Sequence, residues 1–181
     1  MVAFSLVELS VVLVLLTLGL VLAAPDLSNA FANRQLEAVV GRFQSALNLA
    51  RSESIKRNHV VTLCPSRMSV DRQPRCGGGY AQGWLVFANA GRGLVQDVEE
   101  GAVLGVFAGV PGAITVTNRN GNQSAQDIIH FAPDGSAGAP RTLLFCRYAA
   151  RQINNLSLVI NGVGRTSLVR NWGRCPAAEG V

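Results

Sequence analysis

From Phe4 to Ala24 the chain runs 21 residues with one ionisable side chain, Glu8, and Pro25 closes the run. As a helix this stretch would be roughly 30 Å long, about the thickness of a bilayer core. It therefore reads as a single membrane-spanning segment. A cleaved secretory signal is excluded, because no Lys or Arg precedes the run, the run is too long and an acid lies near its start. The carboxylate is costly there, roughly 2.5–3.5 kcal/mol at the centre of a bilayer and less near its surface. A group that expensive calls for a partner, such as a cation on a neighbouring chain.

After Pro25, which is expected to bend rather than end the helix, the pattern turns amphipathic. Phe31, Leu36, Val39, Val40, Phe43, Leu47, Ala50, Ser54 and Ile55 recur at three- and four-residue spacings. Arg34, Glu37, Arg42, Arg51, Glu53, Lys56 and Arg57 fill the other faces, and Asn58-His59 end the helix. The apolar stripe is expected to be the seam against the domain's own sheet. From residue 60 the chain breaks into short apolar runs between turn signals such as Gly77-Gly78-Gly79, Asn120-Gly121, Pro133-Asp134-Gly135 and Asn161-Gly162. Strands are expected at 60–63, 84–87, 103–107, 113–117, 128–131, 142–146, 156–160 and 166–170. The fold class that follows is α+β: a long N-terminal helix, transmembrane and then amphipathic, packed on antiparallel sheet, either one sheet or two small ones.

Cys64, Cys76, Cys146 and Cys175 form no CxxC pair, and His59 and His130 lie far apart, so metal-ligand spacing is absent. Four cysteines in a membrane-tethered domain point to two disulfides in an oxidising compartment. Three pairings exist, of which 64 with 76 and 146 with 175 is the simplest; each bridge would contribute on the order of 3 kcal/mol. No catalytic constellation, metal site or cofactor motif emerges: Gly77-Gly78-Gly79 lacks the Lys-Ser/Thr of a phosphate loop, and neither His is near a recognisable nucleophile motif. An enzyme is not expected.

The string Ala3-Phe4-Ser5-Leu6-Val7-Glu8-Leu9 resembles the type IV pilin processing site. Thr62-Leu63-Cys64-Pro65-Ser66, Cys76 and Gln82-Gly83-Trp84-Leu85-Val86-Phe87 resemble minor pilins of the FimT/FimU type and the related GspH pseudopilins. His130-Phe131-Ala132-Pro133-Asp134-Gly135 resembles that family's F-x-P-x-G turn, and Gly164-Arg165 its late Gly-Arg. The resemblance implies cleavage by prepilin peptidase between Ala3 and Phe4, N-methylation of Phe4, and pairing of Glu8 with a neighbour's terminal amine. It also implies a leader remnant at 1–3, an assembly helix at 4–25, an amphipathic helix at 26–59 and a β-rich periplasmic domain at 60–181. The chain would sit in the bacterial inner membrane and then in a pilus or pseudopilus, with major and minor pilins as partners. Two departures stand out: Ala3 replaces the usual Gly, and the leader Met1-Val2-Ala3 carries no basic residue, which suggests a start further upstream.

The cysteine-bearing form favours a minor pilin that helps to start a type IV pilus, with a type II secretion pseudopilin as the alternative. DNA binding is the third reading. Net charge is +5, and from Arg141 onward six Arg meet one acid, Glu179. Arg165, Arg170 and Arg174 would form a cationic patch, with Trp172 to stack on a base. Some relatives carry Gly-Arg-x-Arg here, but this chain has Ser167 at the last position.

Overall fold

The computed structural model describes residues 5–88, 102–148 and 153–176, without the side chains of 20–29 and 153. The chain divides into two compact units, Met1–Gln35 and Leu36–Val181. One helix assignment, α1 (Leu6–Arg57), spans both and is not ended by Pro25. Its C-terminus is a Schellman motif: Asn58 turns left-handed at φ 52, its N–H donates to Ile55 O and that of His59 to Ser54 O. The chain is thereby reversed into β1.

In the first unit residues 5–19 are exposed, and from Leu6 onward they are helical. Among the described residues no helix is long and apolar enough to cross a membrane; residue 4 and side chains 20–25 of the expected span lie outside them.

The second unit holds two four-stranded antiparallel sheets. The first, ordered β3-β2-β1-β5, comprises β1 (Val61–Pro65), β2 (Gly83–Ala88), β3 (Val103–Ala108) and β5 (Ile129–Phe131). The second, ordered β4-β6-β7-β8, comprises β4 (Ile114–Asn118), β6 (Arg141–Tyr148), β7 (Ile153–Ile160) and β8 (Thr166–Arg170). A single turn of helix, α2 (Met68–Asp71), lies between β1 and β2. All eight expected strands form, most shifted or extended by a residue or more at the ends.

The inner faces of both sheets share one core with α1, built on Leu36, Val39, Val40, Phe43, Ala46, Leu47 and Ala50. Phe43 is its hub, with Tyr80 and Trp84 at 5.0 Å and Phe145 at 5.6 Å between ring centroids. The expected stripe is thus buried from Leu36 to Ser54, but its two ends are not: Phe31 is 65 % and Ile55 52 % exposed.

Each sheet also buries apolar residues on its outer face, and each outer face is closed by its own disulfide. On the first sheet Cys64, Leu85 and Phe87 lie under Met68 and Cys76 of the β1–β2 connection, and Cys64–Cys76 ties that loop down. On the second sheet Leu144 and Cys146 are fully buried. Residues 171–176 return across them as a strap, joined by Cys146–Cys175. The Ser157 hydroxyl donates to Trp172 O, the Arg174 N–H to Arg119 O at 3.0 Å, and the Tyr148 hydroxyl to Pro176 O at 2.8 Å.

Candidate functional site

Two surfaces are candidates. The first is the exposed N-terminal part of α1, residues 6–19. Leu6, Val7, Leu9, Val11, Val12, Leu13, Val14, Leu15, Leu16 and Leu18 are all exposed, on every side of the helix rather than on one stripe. Ser10 and Thr17 spend their hydroxyls on their own helix, donating to Val7 O and Val14 O. That leaves Glu8 as the one ionisable group on an otherwise apolar rod. An apolar surface of this extent marks a place of contact with other proteins or with lipid. Ala3 and Phe4, the expected processing site, lie outside the described residues.

The second surface is the flank of the second unit where α1 meets β8. Glu37, Gln44 and Arg51 are spaced by seven residues, which returns them to one side of the helix every two turns. Glu37 Oε1 accepts from Arg170 Nη2 at 2.7 Å, and Gln44 Nε2 donates to Thr166 Oγ1 at 3.2 Å. Arg51 donates from Nε to Gly135 O at 3.1 Å and from Nη2 to Val163 O at 3.2 Å. On the opposite flank Arg42 donates to Gly109 O at 3.3 Å and lies over the Trp84 ring. The helix therefore closes the mouth between edge strands β3 and β8. These polar residues read as solvated in the sequence. Their seven-residue spacing was the available signal.

Arg51 also explains why the two Gly-containing turns come together. A Cβ on Gly164 (φ +76) would lie 2.1 Å from Gly135 O and 3.3 Å from Arg51 Nε. Only glycine fits. The turn after β5 and the β7–β8 hairpin thus meet at one side chain of α1, joining the first sheet to the second.

Arg165, Arg170 and Arg174 are all exposed, and they lie on different elements. Arg165 precedes β8 and Arg170 ends it, five residues or about 16 Å along a strand. Arg170 is paired with Glu37, and Arg174 belongs to the strap on the outer face. Trp172 already carries a cation: the Arg119 guanidinium sits 4.1 Å from its ring centroid. Arg119 was not singled out in the sequence, and nothing in the spacing of 119 and 172 signals the contact.

The remaining chemistry is structural. His130 Nδ1 is 2.9 Å from Thr62 Oγ1 across β5–β1, and burial, helped by the Arg141 charge, holds its pKa below the usual 6.5. The Tyr80 hydroxyl, fully buried, donates to Asp127 O at 2.5 Å, and burial raises its pKa well above 10.0. Among the described residues no group of three or more His, Cys, Asp or Glu could hold a metal ion.

Comparison with known proteins fits this architecture. A family model described as type II transport protein GspH matches residues 39–164. Two crystal forms of the Pseudomonas aeruginosa type IV minor pilin FimU share the fold. One has TM-score 0.52 and 18 % identity, over 76 % of this chain and 90 % of that one. The other has TM-score 0.51 and 17 % identity, over 74 % and 91 %. No curated protein matches the chain in sequence. The GspH model spans from the middle of α1 to the hairpin glycine beside Arg51, well over half the chain, and on that ground the chain belongs to the GspH family.

Proposed function

We propose that this chain is a minor pilin that is incorporated in a type IV pilus and helps to initiate its assembly. The observation that carries the reading is the exposed apolar part of α1 over residues 6–19, with Glu8 as its one charge, in a GspH-family chain. In this reading prepilin peptidase cuts between Ala3 and Phe4, Phe4 is N-methylated, and Glu8 pairs with the terminal amine of an adjacent subunit. The 21-residue apolar run holds the chain in the inner membrane, with the β domain in the periplasm, before it enters the filament among other minor and major pilins. The role is structural, with no catalysis and no cofactor.

Deleting the gene tests this: surface piliation and twitching should fall sharply, and normal piliation would overturn the reading. Mass spectrometry of the protein from membranes should find an N-terminal methyl-Phe4, and a retained Met1 would remove the processing step.

A second reading, a minor pseudopilin of a type II secretion system, is favoured by the description of the matching family model. The same deletion separates the two, since this one predicts lost secretion with pili intact. DNA binding rests on the absence of any acid between Arg141 and Pro176. Its test is a mobility shift of the full chain in detergent against an Arg165/Arg170/Arg174→Ala triple variant. Binding should weaken steeply with salt and with the variant; equal binding by both proteins removes it.

A further inference from the structure

We propose that β8 is the edge on which an extended, carboxylate-bearing segment of a neighbouring subunit adds as a fifth strand of the second sheet. This rests on the assembly reading above and names the surface of the β domain that takes part in it.

The backbone pattern identifies the free groups. Asn161 N–H donates to Arg165 O, Asn171 N–H donates to Asn155 O, and Val159↔Ser167 and Ser157↔Val169 lie between them in register. These alternate pairs are the hydrogen-bonded ones, so the N–H and C=O of Thr166, Leu168 and Arg170 point away from β7. None of these outward backbone groups has a partner among the described residues. Four of the five β8 residues are exposed, the apolar Leu168 and Val169 included.

Two of the other edges are partly covered: beside β4, Thr117 bridges Ser124, and β5 is a three-residue strand buried at both ends. Of the usual protections of an exposed edge, β8 has the charged Arg170 at its end but no proline, lysine or bulge.

The strand is also held in place beforehand. Gln44 and Glu37 of α1 fix its two ends through Thr166 and Arg170. Adding a strand then costs little ordering on this side. Charge decides the occupant's chemistry. Residues 141–176 contain no acid, and Arg165, exposed at the start of the strand, has no side-chain partner among the described residues. A second copy pairing antiparallel through β8 about Leu168 would set Arg165 of each copy near Arg170 of the other. A carboxylate on a different subunit meets no such repulsion.

The test follows the full chain in cells that assemble the filament, as its amount in sheared filaments relative to membranes. Leu168→Pro removes one outward N–H and no bond to β7, whereas Leu168→Ser keeps that N–H. Recovery in filaments should fall at least tenfold for Leu168→Pro and stay within twofold for Leu168→Ser. Arg165→Glu, a change to an exposed side chain, should also lower it at least tenfold, and this variant decides the matter if Leu168→Pro fails to accumulate. Wild-type recovery of Arg165→Glu, or of an accumulated Leu168→Pro, overturns the proposal while leaving the assembly reading intact. Absence of the wild-type chain from filaments overturns both. A discrete dimer in detergent that Leu168→Pro dissolves would assign the edge to a second copy and likewise overturn it.

Discussion

Arg51 of α1 donates hydrogen bonds to two turns, one beside each sheet, at Gly135 O and Val163 O. Arg51→Met keeps much of the aliphatic stem and removes both bonds, so it should destabilise the second unit by about 2 kcal/mol, read by chemical denaturation. The glycines at the same junction give a sharper contrast. Gly164 and Gly138 both have positive φ, but only Gly164 is crowded, and nothing lies within 4 Å of a Cβ on Gly138. Gly164→Ala should cost about 3 kcal/mol or more and Gly138→Ala about 1 kcal/mol. His130 sets a pH dependence. Its folded-state pKa lies below 6.5 through burial and Arg141, so below that pH the unfolded chain takes up the proton first. Stability should therefore fall as pH drops from 6.5 toward the folded-state pKa and then level off, and His130→Gln should flatten that step. Glu53, held low by Arg57 and Lys56, and Asp134, held low by Ser136, add a loss of the same sign at more acid pH.

At the scale of elements, the period of the apolar residues and the turn residues between them made α1 and all eight strands legible. β-branched runs bounded by Gly, Asn and Pro have few alternatives to a strand. Pairing was less legible, because local patterns carry no record of which strand lies beside which. One sheet and two sheets remained equal until the register was seen. The strap 171–176 left no periodic trace at all. It is held by single contacts with Ser157, Arg119, Tyr148 and Cys146, each set by tertiary position. Phe31 and Ile55 matched the helical period yet stand exposed, since periodicity marks a face and not where the partner surface stops. Cys175→Ser should cost on the order of 3 kcal/mol. It should also raise amide exchange over 171–176 and around Leu144, while the first sheet keeps its protection.

At the scale of the whole molecule, the two candidate surfaces were read with unequal success. The apolar helix with Glu8 was plain from composition alone, because so long a run with one charge has few uses. The elements that carry Arg165, Arg170 and Arg174 were less plain, since closeness in sequence says little about which strand or strap holds each residue. Glu8→Ala should leave the second unit's melting temperature within about 1 °C, while depleting the chain from filaments severalfold. Equal recovery of Glu8→Ala and wild type in sheared filaments would break the link between that carboxylate and assembly.

The two disulfides close separate stretches, 12 and 29 residues apart in sequence, and neither crosses from one sheet to the other. In a chain that emerges N-terminus first, Cys64 and Cys76 meet an oxidant before Cys146 has appeared. Order of arrival then selects the native partners without any need for later reshuffling. Cys146 is then left waiting for Cys175, 29 residues further along the chain.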